Sequence, residues 1–338
     1  MSATPGVAPA GARAPAATRG RICFHAPYAW PLFTHGRLAF TGGAEVQQVA
    51  LARGLAARGF AVSMVCCDYG QPARVDVGGI TVLRAFPPHA GLPIVRFFHP
   101  RLTRAVAALA VADAEVYYVR GAALAAGVAY EVARARGAAF VLGAAHDHDA
   151  RRSLPLLGRP PDRWWVRRAL RGARTIISQT ETQRALFASE MGLASEVVPN
   201  LVEPPDGFAD AGQEGTIVWL ATYKPAKRPE WFVELARRMP QRRFVMCGVI
   251  PIPPESPAAW DAARAAAPPN LEVRGPLDHA RLGELFRGAS LMVHTSPVEG
   301  FPNTVLEAWA HGVPTVSAVD PDGVVTRERL GAVATDWD

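Results

Sequence analysis

Along nearly the whole chain, short apolar runs of strand length alternate with longer runs whose apolar residues recur at helical spacing. That order restricts a chain to α/β architecture, with parallel strands joined by helical crossovers. Residues 22–26 read as a first strand, followed by a long loop over 27–41 and a helix over 44–58 ended by Gly59. Strand, helix, strand, helix, strand follow at 116–119, 122–136, 140–142, 164–170 and 175–178, after an early strand at 60–66. The pattern restarts with strands at 216–220, 244–247, 271–273, 291–294 and 315–316, and helices at 229–239, 281–287 and 303–311. Between the halves, residues 199–215 are rich in Pro, Gly, Asp and Glu, the composition of a linker. Three parts are therefore expected: a disordered leader over 1–20, a first α/β domain over 21–200 and a second over 201–338. With room for four to five βα units, the second reads as short at its C-terminal end.

Composition narrows the functional classes. No apolar run approaches the ~18 residues of a membrane span, and the leader lacks the apolar core of a secretion signal. The cysteines, Cys23, Cys66, Cys67 and Cys247, fall in or at the end of strand-like runs without paired or metal-ligand spacing, as buried thiols of a reducing cytoplasm do. Residues 84–175 hold fifteen arginines against six acids. Such a basic half suits an anionic lipid surface or a phosphorylated acceptor. Nucleic acid is not expected, since no binding motif accompanies the charge and aromatics do not interleave with it. The basic segment Asp162-Arg163-Trp164-Trp165-Val166-Arg167-Arg168 reads as an amphipathic helix that rests on lipid or packs its apolar side inward.

Four segments carry the chemistry. Glu299-Gly300-Phe301-Pro302-Asn303-Thr304-Val305-Leu306-Glu307 runs from the end of a buried strand into a helix. Ligands bind at such strand ends in open α/β sheets, and free amides at a helix start suit phosphate or sugar oxygens. Each glutamate can accept two hydroxyl hydrogen bonds, as a vicinal diol offers. Thr41-Gly42-Gly43-Ala44-Glu45 lets backbone approach a phosphate in front of a helix. Lys224 and Lys227, in Ala221-Thr222-Tyr223-Lys224-Pro225-Ala226-Lys227-Arg228-Pro229, are the only lysines of an arginine-rich chain, and an ammonium suits a phosphate as a point charge. His146-Asp147-His148-Asp149 follows a strand and offers imidazoles and carboxylates. Such a set suits a metal or the capping of the next element.

The nonapeptide resembles the E-x7-E motif of retaining GT-B glycosyltransferases, most closely glycosyltransferase family 4. So do Gly275-Pro276-Leu277 and Glu307-Ala308-Trp309-Ala310-His311-Gly312-Val313-Pro314-Thr315-Val316. The likeness runs over residues 21–330. It implies two Rossmann-like domains facing across a cleft, with Glu299 on the donor sugar and Glu307 on the nucleotide ribose. Gly300, Phe301 and Asn303 would hold sugar or phosphate oxygens by their amides. Gly42 and Gly43 match the family's Gly-Gly-x-Glu loop on the donor diphosphate. Lys227 matches its diphosphate lysine, while Thr222 stands where the family usually has arginine, with Lys224 or Arg228 as substitutes. His146, with His148 as alternative, matches the active-site histidine.

The resemblance implies transfer of a sugar from a nucleoside-diphosphate sugar, with retention, to a glycan, lipid-linked or small-molecule acceptor. No metal or other cofactor is implied, since cations and amides neutralise the diphosphate in this fold. Tyr28, Trp30, Phe33, His35 and Arg37 are candidates for acceptor contact. A cytoplasmic protein, peripheral to the inner face of the membrane, is the expectation. The rival readings are a sugar-nucleotide epimerase of the same shape and a non-catalytic relic that binds nucleotide sugars without turnover.

Overall fold

The computed structural model describes residues 18–34, 42–88, 97–202, 205, 215–250, 257–277 and 281–334. Its strands form two sheets. The first contains β1 (Arg21–His25), β2 (Ala61–Cys66), β3 (Arg74–Val77), β4 (Ile80–Arg84), β5 (Val116–Arg120), β6 (Ala139–Gly143), β7 (Thr175–Ser178) and β8 (Glu196–Val197). Their order is β3-β4-β2-β1-β5-β6-β7-β8. Every pairing is parallel except that of β3 with β4. These two form a hairpin that the sequence pattern did not reveal. Its two-residue turn is Gly78-Gly79, with φ of 60° and 78°, a pair of left-handed positions that glycine fills without strain. Helices α1 (Gly43–Ala57), α2 (Thr103–Ala112), α3 (Leu124–Ala135), α4 (Pro160–Gly172) and α5 (Glu181–Leu186) belong to this half.

The second sheet contains β9 (Thr216–Leu220), β10 (Phe244–Cys247), β11 (Leu271–Arg274), β12 (Ala289–His294), β13 (Thr315–Ser317) and β14 (Gly331–Val333). All are parallel, in the order β11-β10-β9-β12-β13-β14. Its helices are α6 (Pro229–Arg238), α7 (Ala258–Ala266), α8 (Leu282–Arg287), α9 (Asn303–Ala310) and α10 (Val324–Arg327). The strand order reverses beside β1 in the first sheet and beside β9 in the second. Crevices open at such switch points, outside the carboxyl ends of the strands.

Each sheet is covered on both faces, which is why its strands read as continuous apolar runs. Cys23 packs among α2 and α3 residues, while its neighbour Phe24 packs with Val49 and Ala52 of α1 on the opposite face. Val218 and Trp219 divide the second half's core in the same way. Gly59, with φ of 85°, follows the last turn of α1 in the left-handed conformation a C-terminal glycine supplies. All four cysteines are buried and unpaired. Burial pushes the Cys23 thiol up to about 12 and the Cys247 thiol up to about 11, which keeps both protonated and inert. No helix among the described residues is long and apolar enough to cross a membrane.

Candidate active site

The segments singled out in the sequence leave the carboxyl ends of their strands. The Gly42-Gly43 pair opens α1, which follows β1 in the chain; residues 144–150 follow β6; the lysine turn follows β9; and residues 295–302 follow β12.

Glu299 lies five residues beyond the buried end of β12 and is itself half-buried. Its Oε1 atom receives the Lys227 ammonium, and the His294 Nε2 atom stands 3.6 Å from the same oxygen. His294 is in turn fixed by its Nδ1 atom, 3.1 Å from the Ser317 hydroxyl on β13. Burial pushes the Glu299 carboxyl upward, but the hydrogen bond from His294 and the charge of Lys227 outweigh it and hold the acid down at about 2. Glu299 is therefore a carboxylate at any ordinary pH.

Lys227 ends a short 3-10 turn, Pro225–Lys227, that starts at Lys224. The turn is tied to the β12 exit because Thr295 Oγ1 donates to the Lys227 carbonyl at 2.5 Å and accepts from Trp219 Nε1 at 2.8 Å. Lys224 is half-buried at the opposite end of the turn. Arg228 is drawn elsewhere: its guanidinium stacks over Trp231, 5.2 Å from the ring centre, and contacts Glu230 at 3.4 Å. Of the two substitutes for the arginine absent at Thr222, Arg228 is thus committed to the surface of α6.

At Gly42-Gly43 the glycines have separate structural reasons. The Glu45 carboxylate, half-buried and raised above its ordinary value by desolvation, accepts the Gly42 amide from the third position of α1. A Cβ on Gly43 would stand 2.6 Å from the Asn303 side-chain nitrogen. That nitrogen donates to the Gly43 carbonyl at 2.8 Å, so the start of α9 meets the start of α1 directly. Glu307 lies one turn into α9, half-buried, and its carbonyl meets His311 Nδ1 at 2.7 Å.

His146 caps a 3-10 turn, Asp147–Ala150: its Nδ1 atom accepts the His148 amide at 3.2 Å. The rings of His146 and His148 stack with centres 4.6 Å apart. Burial, followed by the neighbouring His146, lowers the His148 pKa. Asp149 turns inward, where its Oδ2 atom accepts the amides of Ala145 and His146 at 2.8 and 3.1 Å. The reading of Asp147-His148-Asp149 as a metal-binding pair of acids therefore loses Asp149 to capping. Among the described residues, no group of three or more His, Cys, Asp or Glu stands ready to hold a metal ion. A crevice of about 190 Å³ opens beside Glu299 and Gly300, lined also by Asp147, Thr180, Thr182 and Asp322. His146 is not part of its lining, and the acid next to it is.

The expected amide contact at Phe301 meets a different partner: its N–H donates to Gln179 Oε1 of the first half at 3.1 Å. Gln179, Asn200, His294 and Asp322 escaped the sequence reading. Only Asn200, within a Pro-Asn step at the domain crossover, carried a local cue. Among the acceptor candidates, Trp30 and Phe33 pack against each other at 6.3 Å within the first core, while Tyr28 is exposed. His35 and Arg37 lie outside the described residues, as does Thr41.

Two α/β domains that meet at their strand ends, with a paired carboxylate and ammonium of the second facing the crevice, have the architecture of the GT-B fold. Residues 41–205 match the family model for Glycosyltransferase Family 4, and residues 214–336 match that for Glycosyl transferases group 1. The chain belongs to these glycosyltransferases. No curated protein sequence matches it. Sucrose-phosphate synthase from Thermosynechococcus elongatus is similar in fold, with a TM-score of 0.75 at 16% identity over 94% of this chain and 87% of that one. HepE of Anabaena, solved with UDP and glucose, has a TM-score of 0.65 at 16% identity over 90% and 82%. The catalytic domain of starch synthase IV from Arabidopsis thaliana, bound to ADP and acarbose, has a TM-score of 0.61 at 12% identity over 88% and 82%.

Proposed function

We propose that this glycosyltransferase moves a sugar from a nucleoside-diphosphate donor to a hydroxyl of a glycan, lipid-linked or small-molecule acceptor, with retention at the anomeric carbon. The observation that carries this reading is the Glu299 carboxylate held between Lys227 and His294 at the crevice between the two halves. Departure of the diphosphate places negative charge beside the lysine turn and positive charge on the sugar. A fixed ammonium stabilises the first and a fixed carboxylate the second, without reorganisation at the moment of reaction. Glu299 takes the donor sugar, Lys227 and Lys224 the diphosphate, and Glu307 the ribose. The Gly42-Gly43 backbone and the amides of Gly300 and Asn303 complete the phosphate and sugar contacts, and His146 borders the sugar through its turn. Neutralisation by cations and amides means that the reaction requires no resident metal. UDP and ADP, as held by HepE and starch synthase IV, are the first bases to try.

The acceptor enters from the first domain, where Tyr28 is exposed. That domain also supplies contact with an anionic lipid surface on the cytoplasmic side. On α4, Val166, Ala169 and Leu170 pack inward, while Trp164, 63% exposed, and Leu156 just before the helix, 67% exposed, face out beside Arg159 and Arg171.

The experiment is thermal unfolding with UDP, GDP and ADP and their sugars, followed by NMR of the product's anomeric configuration. Saturation at ~100 times the dissociation constant stabilises by about 2.7 kcal/mol. Stabilisation by one base and a product of retained configuration support the reading. Conversion of the donor sugar without any acceptor, or binding without turnover, overturns it.

A further inference from the structure

Polar side chains are costly in a protein interior unless each finds its partners. Ser178, Gln179, Thr180 and Gln183, at the end of β7 and the start of α5, are each at most 3% exposed. Gln179 donates from Nε2 to the Ala144 carbonyl at 2.7 Å, and its Oε1 accepts from Phe301 N at 3.1 Å and Asn200 Nδ2 at 3.0 Å. Asn200 Nδ2 also stands 3.1 Å from the Phe301 carbonyl and 2.8 Å from Asn303 Oδ1, while Asn200 Oδ1 accepts from Arg120. Gln183 Oε1 accepts the Gln179 amide at 2.9 Å, and its Nε2 donates to Asp147 at 3.0 Å. Both peptide groups of Phe301 are thus held by amide side chains from the first domain and its crossover. Gly300 is necessary to this contact, because a Cβ there would stand 2.6 Å from Gln183 Nε2 and 3.1 Å from Gln179 Nε2.

A second loop of the C-terminal half uses the same seat. The Asp322 carboxylate accepts the Glu181 amide at 2.6 Å, the Thr182 amide at 3.0 Å and the Thr182 hydroxyl at 2.8 Å. Residues 178–183 therefore receive both the turn that follows Glu299 and the turn that carries Asp322.

We propose that Gln179 and Asn200 are positioning residues, an amide clamp that locks the turn at residues 300–303 onto the first domain and so sets where Glu299 meets the donor sugar. The clamp joins backbone to side chain across the domain crevice, so domain closure and alignment of Glu299 become one event. Its kinetic consequence rests on the transfer reading above; its structural consequence does not.

The test compares wild type with Asn200→Asp, which replaces the donating nitrogen by an oxygen facing three acceptors, and Gln179→Leu, which removes the acceptor for Phe301. Gln179→Glu keeps that acceptor and, as the neutral acid that burial favours, still donates to the Ala144 carbonyl, so it serves as the rescue. Hydrogen exchange over residues 299–303 is read by mass spectrometry, along with kcat and KM for UDP- and ADP-glucose. The expected result is faster exchange at Phe301 in the two disrupting variants, beyond any general rise in the rest of the fold that accompanies their lowered melting temperature. In the same variants kcat falls about 10- to 100-fold, as a sub-ångström misalignment produces, with KM changed far less. Gln179→Glu restores both exchange protection and kcat relative to Gln179→Leu. Unchanged exchange in both folded disrupting variants overturns the clamp. So does a KM rise without a fall in kcat. If Asn200→Asp does not fold, Gln179→Leu against Gln179→Glu decides alone. A wild type without turnover on any nucleotide sugar defeats the transfer reading and leaves the exchange comparison to decide the clamp.

Discussion

Glu299 keeps its charge where burial alone would remove it, because Lys227 and His294 converge on one of its oxygens. Its depressed pKa stabilises the fold fully above the ordinary value of 4.5, and that contribution is lost as pH falls through about 2. The stability difference between wild type and Glu299→Gln should therefore shrink across that acidic window, as measured by urea unfolding. At neutral pH the same substitution keeps the fold and removes the fixed charge, and we expect transfer to fall about 100-fold or more, followed by product assay. His25 gives the opposite chemical case. Buried at the end of β1, with Nδ1 3.2 Å from the Ala125 carbonyl, it is pushed down to about 4 by burial. The folded protein then binds fewer protons than the unfolded chain between pH 6.5 and 4, so stability falls as pH falls through that window, by about 3 kcal/mol. His25→Asn preserves the donor to Ala125 and should flatten the stability profile there. At this scale Glu299, Lys227 and Gly43 were legible in the sequence because they sit in short segments whose chemistry is local. His294, Gln179 and Asn200 were not, since their partners lie 5 to 122 residues away and only folding brings them close.

Among the elements, long helices and central strands followed from apolar spacing, with ends correct to within a few residues. The β3–β4 hairpin, α5, α7, α10, β8 and β14 did not, being short or half-exposed, so that their apolar residues do not repeat often enough to set a period, and neither did α2, whose apolar residues run all round the helix, exposed Val106 and Val111 included, and so mark no face. The α3–α4 pair shows how tightly such elements are fitted. A Cβ on Gly127 of α3 would stand 2.8 to 3.2 Å from ring atoms of Trp165 on α4. Alanine gains about 1 kcal/mol of helix propensity there, but overpacking costs about 1 to 3 kcal/mol. Gly127→Ala should lower the melting temperature, and a second substitution, Trp165→Leu, should restore it in a double-mutant cycle.

At the level of the whole molecule, two loops of the second half rest on residues 178–183, and α9 touches α1 through Asn303 and Gly43. The sequence divided the chain into two units but carried no sign of how one would seat on the other, because polar contacts across a crevice leave no periodic trace. The basic first half bears on association in turn. Binding to phosphatidylglycerol vesicles, measured by co-sedimentation, should exceed that to phosphatidylcholine vesicles and weaken with salt. Trp164→Ser should reduce it roughly tenfold without altering the melting temperature. No preference for the anionic vesicles would remove the lipid contact from the account.

The lysine turn has a consequence for how the molecule can be watched. Lys224 is followed by Pro225, which blocks cleavage by proteases that cut after lysine. The peptide bond between Lys227 and Arg228 is then the only one in the chain open to such an enzyme. It lies against the Glu299 carboxylate, at a residue with φ of 49°. Nicking there would report, as a single break into two large fragments, each moment at which the turn lifts from the crevice.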